Sequence, residues 1–109
     1  MSFFSDDEKI EIGKGIADLL KTALGSPELR VAEEVDDALA FIKKKRAHEN
    51  WTVEMGQIYL EFVTENAVAT LSASRKLKKK KVRKAIKGIL TSLVGVVNER
   101  IGFPILPTP

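Results

Sequence analysis

Cysteine is absent from the 109-residue chain, and histidine, tryptophan and tyrosine occur once each. Without cysteine there is no disulfide framework, no thiolate metal site and no cysteine nucleophile, which suits a reducing, cytoplasmic setting. His48 sits beside Glu49 in a polar stretch and reads as an exposed histidine. No triad can be built around a cysteine or a second histidine, so carboxylate chemistry is the one catalytic route left open. Neither a cofactor nor a metal is expected.

Long apolar runs are also missing. The longest stretches lie in "AIKGILTSLVGVV", where Lys87, Thr91 and Ser92 interrupt them. They fall short of the roughly 20 residues a membrane-spanning helix needs. The opening "MSFFSDDEK" has no basic stretch followed by an apolar run, so no secretory signal is expected there.

What is present is a globular composition, 44% hydrophobic and 30% charged. It suits one domain over residues 1–102 and a proline-punctuated tail over 103–109. Ser5 followed by Asp6, Asp7 and Glu8 forms a capping box, with acids where the helix dipole favours them. Ile12, Ile16, Leu19, Leu20, Ala23 and Leu24 then recur at helical spacing, and Gly25 is a natural stop. Ser26 as cap and Pro27 at the first helical position open a second helix. Its stripe is Leu29, Ala32, Val35, Leu39 and Ile42, with acids early and cations late.

A third helix is expected from Asn50 or Thr52, turning Met55, Ile58, Tyr59, Phe62 and Val63 inward and continuing less cleanly through Ala67, Val68 and Leu71. The same stretch is rich in β-branched and aromatic residues, and its "TEN" also fits a hairpin turn. Helix is the expectation, because a lone hairpin would have no sheet to join. Val82, Ile86, Ile89, Leu93 and Val97 stripe a fourth helix, which Gly102 ends and Pro104 prevents from resuming. The fold expected is all-α, a compact antiparallel helical bundle of about four helices with an extended C-terminal tail.

The net charge of +3 conceals a strong polarity. Arg75, Lys76, Lys78, Lys79, Lys80, Lys81, Arg83, Lys84 and Lys87 are half of the chain's eighteen Lys and Arg, and no acid lies among them. The run carries +9, and the remaining nine cations stand against fifteen acids, giving −6. These lysines approach and open the fourth helix, the end whose dipole repels cations. Three things can offset that cost. One is internal screening by Glu33, Glu34, Asp36 and Asp37, since the second and fourth helices start at the same end of an up-down bundle. Another is nucleic acid, bound through its phosphates. The run has no interleaved aromatics for stacking, and Lys outnumbers the better base-reading Arg. The third is an anionic membrane surface, although the apolar face of this helix is needed for the core. A solvated basic face is the plainest reading of the run.

Gly88, Ser92 and Gly95 place small side chains on one side of the fourth helix and form a candidate helix–helix interface, either within the bundle or across a dimer. Gly13 and Gly15 in "IGKGIA" lack the strand and spacing of a phosphate loop and read as helix interior. Asn50-Trp51-Thr52 matches the glycosylation pattern, which matters only in a secreted chain. Trp51 is expected to cap the core. Phe103, Ile105 and Leu106 are too apolar for a free tail, so they either pack back on the bundle or dock into a partner.

The expected function is that of a small non-enzymatic interaction protein acting through charged surface patches. Its role would be that of a binding partner or of an inhibitor or immunity-type protein, with a protein partner that includes a second copy. The alternative is a nucleic-acid or polyanion-binding protein using residues 75–87.

Overall fold

The computed structural model describes residues 2–107, so Thr108 and Pro109 of the expected tail lie outside the described residues. Among the described residues five helices follow one another: α1 (Asp6–Leu20), α2 (Ser26–Glu49), α3 (Val53–Arg75), α4 (Lys79–Ser92) and α5 (Val94–Ile101). No strand occurs among the described residues. The fold is therefore an all-α antiparallel bundle, and residues 58–71 are helix rather than hairpin.

The start of α1 follows the capping box. The Glu8 N–H donates to Ser5 Oγ (3.2 Å), and the Ser5 N–H donates to Glu8 Oε1 (2.9 Å). Its end departs from expectation. The helix stops at Leu20, with Lys21 left-handed (φ 57°) and the Thr22 N–H returning to the Ala17 carbonyl (2.9 Å). Ala23 and Leu24 are exposed in the connection, and Gly25 caps α2 instead of ending α1. Ser26 is thus the first residue of α2, not its cap. The reason is Glu28, whose carboxylate reaches back to the Gly25 N–H (3.1 Å) and satisfies a donor a serine cap would leave open. Thr52 caps α3 by accepting from the Met55 N–H (3.1 Å).

The expected fourth helix is broken. Thr91 Oγ1 donates to the Lys87 carbonyl (2.9 Å) and Ser92 Oγ to the Ile89 carbonyl (2.7 Å), back-bonds that bend helices. Leu93 leaves the helical region (φ −100°, ψ 3°), and α5 starts on a new course.

α2 and α3 pack on each other, as do α1 and α2, α3 and α4, and α1 and α4. The four long helices thus form a square in which α2 and α4 are diagonal. Its centre is filled by Ile16, Leu20, Val35, Leu39, Ile42, Val68, Leu71, Val82 and Ile86, all essentially inaccessible.

The chain ends close this core. Phe4 is buried and its N–H donates to Asp36 Oδ1 (2.6 Å). Phe103, Ile105 and Leu106 are buried as well, so the tail packs back on the bundle. Asn98 holds it by donating to the Leu106 carbonyl and accepting the Leu106 N–H, both at 2.9 Å. Gly56 makes room: a Cβ there would stand 3.0 Å from Ile42 and 3.3 Å from Ile105.

Candidate interaction surfaces

The fold sorts the basic run into two chemically different groups. Arg75, the last residue of α3, aims its guanidinium at Glu28, with Nε donating to Oε2 at 2.7 Å. Its Nη2 also donates to Glu28 Oε1 and to the Ala23 carbonyl (3.0 Å), and Thr22 Oγ1 donates to Glu28 Oε2 (3.1 Å). Glu28 is wholly buried. Burial alone pushes its carboxyl pKa up, but the hydrogen bonds from Arg75 and Thr22 outweigh that, and the pKa is lowered. Arg75 therefore staples the end of α3 to the α1–α2 connection.

One helix further on, Arg83 forks onto Glu65 of α3, with Nε and Nη2 donating across 2.7–3.1 Å. The hydrogen bonds from Arg83 hold the Glu65 pKa below its ordinary value. Lys87 pairs with Glu61 at 3.1 Å. Screening of the run is thus internal in kind, but its acids are not the expected ones. Glu33 pairs with Lys9 (3.2 Å) and Asp36 holds the Phe4 N–H, while α2 stands diagonally across the bundle from α4.

Six cations remain. Lys76, Lys78, Lys79, Lys80, Lys81 and Lys84 are all exposed, and none forms an ion pair among the described residues. Lys78 is the N-cap of α4 and supplies no side-chain cap, and no acid stands in the first turn. The three paired cations tie elements of the fold together; the six lysines form no such pair among the described residues.

Gly88, Ser92 and Gly95 are exposed. A Cβ on Gly88 would meet only Leu19, at an ordinary 3.7 Å, and one on Gly95 would meet nothing within 4 Å. The close approach of α1 to α4 falls elsewhere, at Gly15, where a Cβ would stand 2.6 Å from Ile89 Cδ1. Gly88 thus faces α1 with room for a side chain, Ser92 borders a groove shared with Ile12 of α1, and Gly95 faces open space.

The apolar stripe assigned to the inside of α3 points outward. Ile58 is 65% exposed, Phe62 64% and Met55 45%, while Tyr59 and Val63 lie half-buried at the boundary. The buried face is Gly56, Leu60, Thr64, Ala67, Val68, Leu71 and Ser72. α3 is therefore apolar on two sides. The smaller side chains face inward, which lets α2, α4 and the tail close upon it. Beside the outer stripe, Phe41, Trp51 and Tyr59 form an aromatic cluster with ring centroids 4.9–5.9 Å apart. Trp51 is half-buried there and caps this end of the bundle.

The remaining features are structural. A cleft of about 400 Å³ lies between α3, α4 and the tail, floored by Leu60, Leu90 and Leu106. Its polar groups are already engaged: Thr64 Oγ1 with the Leu60 carbonyl, Lys87 with Glu61, and Gln57 with the Pro104 carbonyl. Glu8 carries the largest resolved carboxyl shift, lowered to about 2 mainly by the two hydrogen bonds from Arg100, which clamp α5 onto the start of α1. No three metal-binding side chains gather among the described residues. No helix among them is long and apolar enough to cross a membrane. No protein-family model, curated protein or solved structure matches the chain.

Proposed function

We propose that this chain is a small non-enzymatic interaction protein that holds an amphipathic helix of a partner protein against the outer face of α3. One observation carries the reading. Met55, Ile58 and Phe62 stand exposed at i, i+3 and i+7 on a helix whose opposite face already fills the core. Single exposed apolar side chains are ordinary. Three in register on two turns match the spacing by which one helix anchors on another.

The rim supplies the partner's chemistry. Glu54 is exposed and unpaired on one flank, while Glu61 and Glu65 further along α3 are already answered by Lys87 and Arg83. On the other flank Glu34 and Asp37 of α2 line the groove shared with Tyr59 and Val63. Glu54 and Asp37, exposed acids without an ion pair on opposite sides of the apolar stripe, favour a helix with large apolar residues and cationic flanks. An inhibitor or immunity-type role is one form such a protein takes.

Affinity capture with wild type and an Ile58→Ser/Phe62→Ser double variant tests this, with cross-linking to map the partner's contact segment. The expected result is a partner with a basic amphipathic helix at the contact, weakened about thirtyfold or more by the double substitution, as for central interface anchors. Equal capture by both proteins would remove the face from consideration. A wild type that sediments as a dimer, while the double variant is monomeric, would assign the face to a second copy.

A further inference from the structure

We infer that Lys76, Lys78, Lys79, Lys80, Lys81 and Lys84 form a binding site for the phosphate backbone of double-stranded nucleic acid. This goes beyond the docking role of α3 and does not rest on it. Phe62 and Arg75 are separated by 13 residues of continuous helix, about 20 Å at 1.5 Å per residue.

The inference starts from what the fold leaves unexplained. Six like charges fall in nine positions around an uncapped helix start; Lys79 lies within the electrostatic reach of Glu65, but none of the six forms an ion pair among the described residues. Each such charge is opposed by the helix dipole and by its neighbours. The pairs that do form in the run involve Arg75, Arg83 and Lys87 instead. An external anion is what this arrangement accommodates. The first turn of α4 adds backbone N–H groups that no side chain caps.

The composition of the site narrows the anion. Both arginines, whose planar forks read base edges, are occupied by Glu28 and Glu65. What remains is lysine, a flexible point charge suited to phosphate and indifferent to sequence. Single strands are held by stacking, yet the chain has no aromatic residue between Phe62 and Phe103. An anionic membrane surface also attracts lysines, but the apolar face of α4 that would anchor the helix there (Val82, Ala85, Ile86 and Leu90) is buried. Duplex phosphate, with one charge per about 1.7 Å of axis, is the anion this cluster fits.

The test is fluorescence anisotropy with a labelled mixed-sequence DNA duplex, its RNA counterpart and a single strand of equal length, each over a salt series. If the six lysines each neutralise one phosphate, affinity for the duplex falls about a thousandfold between roughly 50 and 200 mM salt. DNA and RNA duplexes should behave alike. Lys80→Gln with Lys84→Gln should reduce that fall to about a hundredfold, because two counterions fewer are released. Lys43→Gln with Lys44→Gln, exposed cations on α2, should leave it unchanged. The proposal is overturned if the wild type shows no salt-dependent duplex binding or if the Lys80/Lys84 variant keeps the wild-type slope. Tighter binding to the single strand overturns it too. Equal binding to polyglutamate of matching charge would assign the site to an acidic protein instead.

Discussion

The two faces of α3 reverse the usual order of side-chain size. Facing the core are Gly56, Thr64, Ala67 and Ser72 among Leu60, Val68 and Leu71. Facing solvent are Met55, Ile58 and Phe62, the bulkier apolar set. Hydrophobicity alone would turn the helix round. Close packing does not, because a square of four helices plus a returning tail leaves little width at α3. Gly56 lets Ile42 and Ile105 meet over the backbone. The inward hydroxyls are harmless, since Thr64 Oγ1 donates to the Leu60 carbonyl (2.8 Å) and Ser72 Oγ to that of Leu77. The inner face is selected for fit, and the outer face is free to serve something else.

The largest effect that would break this division lies at the end of α3. Arg75→Met leaves the Glu28 carboxylate buried without its cation, and we expect a larger loss in denaturant unfolding near neutral pH than from any truncation on α3 itself. The pH dependence should also weaken. In the wild type the lowered Glu28 pKa contributes stability that is present above the unfolded pKa of about 4.3 and is lost as pH falls below it. In the variant only the hydrogen bonds from Thr22 and the backbone oppose burial, so the folded pKa rises and acidification relieves part of the defect. A deficit that stays constant from neutral pH to pH 4 would show that Arg75 is not what keeps Glu28 charged.

Leu71→Ala comes next. Leu71 is 1% exposed among α3's inner side chains, and its loss should cost about 3 kcal/mol, the transfer of the removed atoms plus the cavity left behind. A cost below about 1 kcal/mol would mean that the inner face is loosely filled.

Much of this organisation is legible in the residues themselves. Ser5 caps α1 as its capping box requires, and of the two starts open to α3, Asn50 and Thr52, the chain uses Thr52, while Asn50 ends α2. The α2 stripe through Ala32, Val35, Leu39 and Ile42 is buried as expected. Departures arise where distant contacts decide. The end of α1 moved because Glu28 recruits Gly25 as a cap and Arg75 as a partner, one of them 47 residues away. The fourth helix broke because two neighbouring hydroxyls turned back on their own turn, a signal that "LTSL" carries in plain sight. The acids opposite the basic run were misassigned because start points alone do not reveal that α2 and α4 are diagonal. The outward stripe of α3 was the least legible of all. With both faces apolar, periodicity cannot choose between them, and the choice depends on the width of the space.

A smaller effect is expected at Gly95, on the open side of α5. Glycine inside a helix costs roughly 0.5–1 kcal/mol against alanine, and a Cβ at Gly95 meets nothing within 4 Å. Gly95→Ala should therefore raise the unfolding free energy by about that amount. If Gly95 instead seats another subunit, the gain is replaced by a shift toward monomer in sedimentation.

The smallest stability effect should come from the outer stripe itself, where it is the most informative. Ile58 and Phe62 are about two-thirds exposed, so their apolar surface is largely wet in the folded chain as it is in the unfolded one. Truncation there removes little burial, and surface substitutions of this kind usually stay within about 0.5 kcal/mol. Ile58→Ser with Phe62→Ser should therefore unfold with the wild-type midpoint while losing the partner. Set beside Leu71→Ala, it separates two uses of apolar side chains on one helix, one for folding and one for contact. A destabilisation of about 2 kcal/mol or more would place the stripe inside the folding core and leave the docking role of α3 without support.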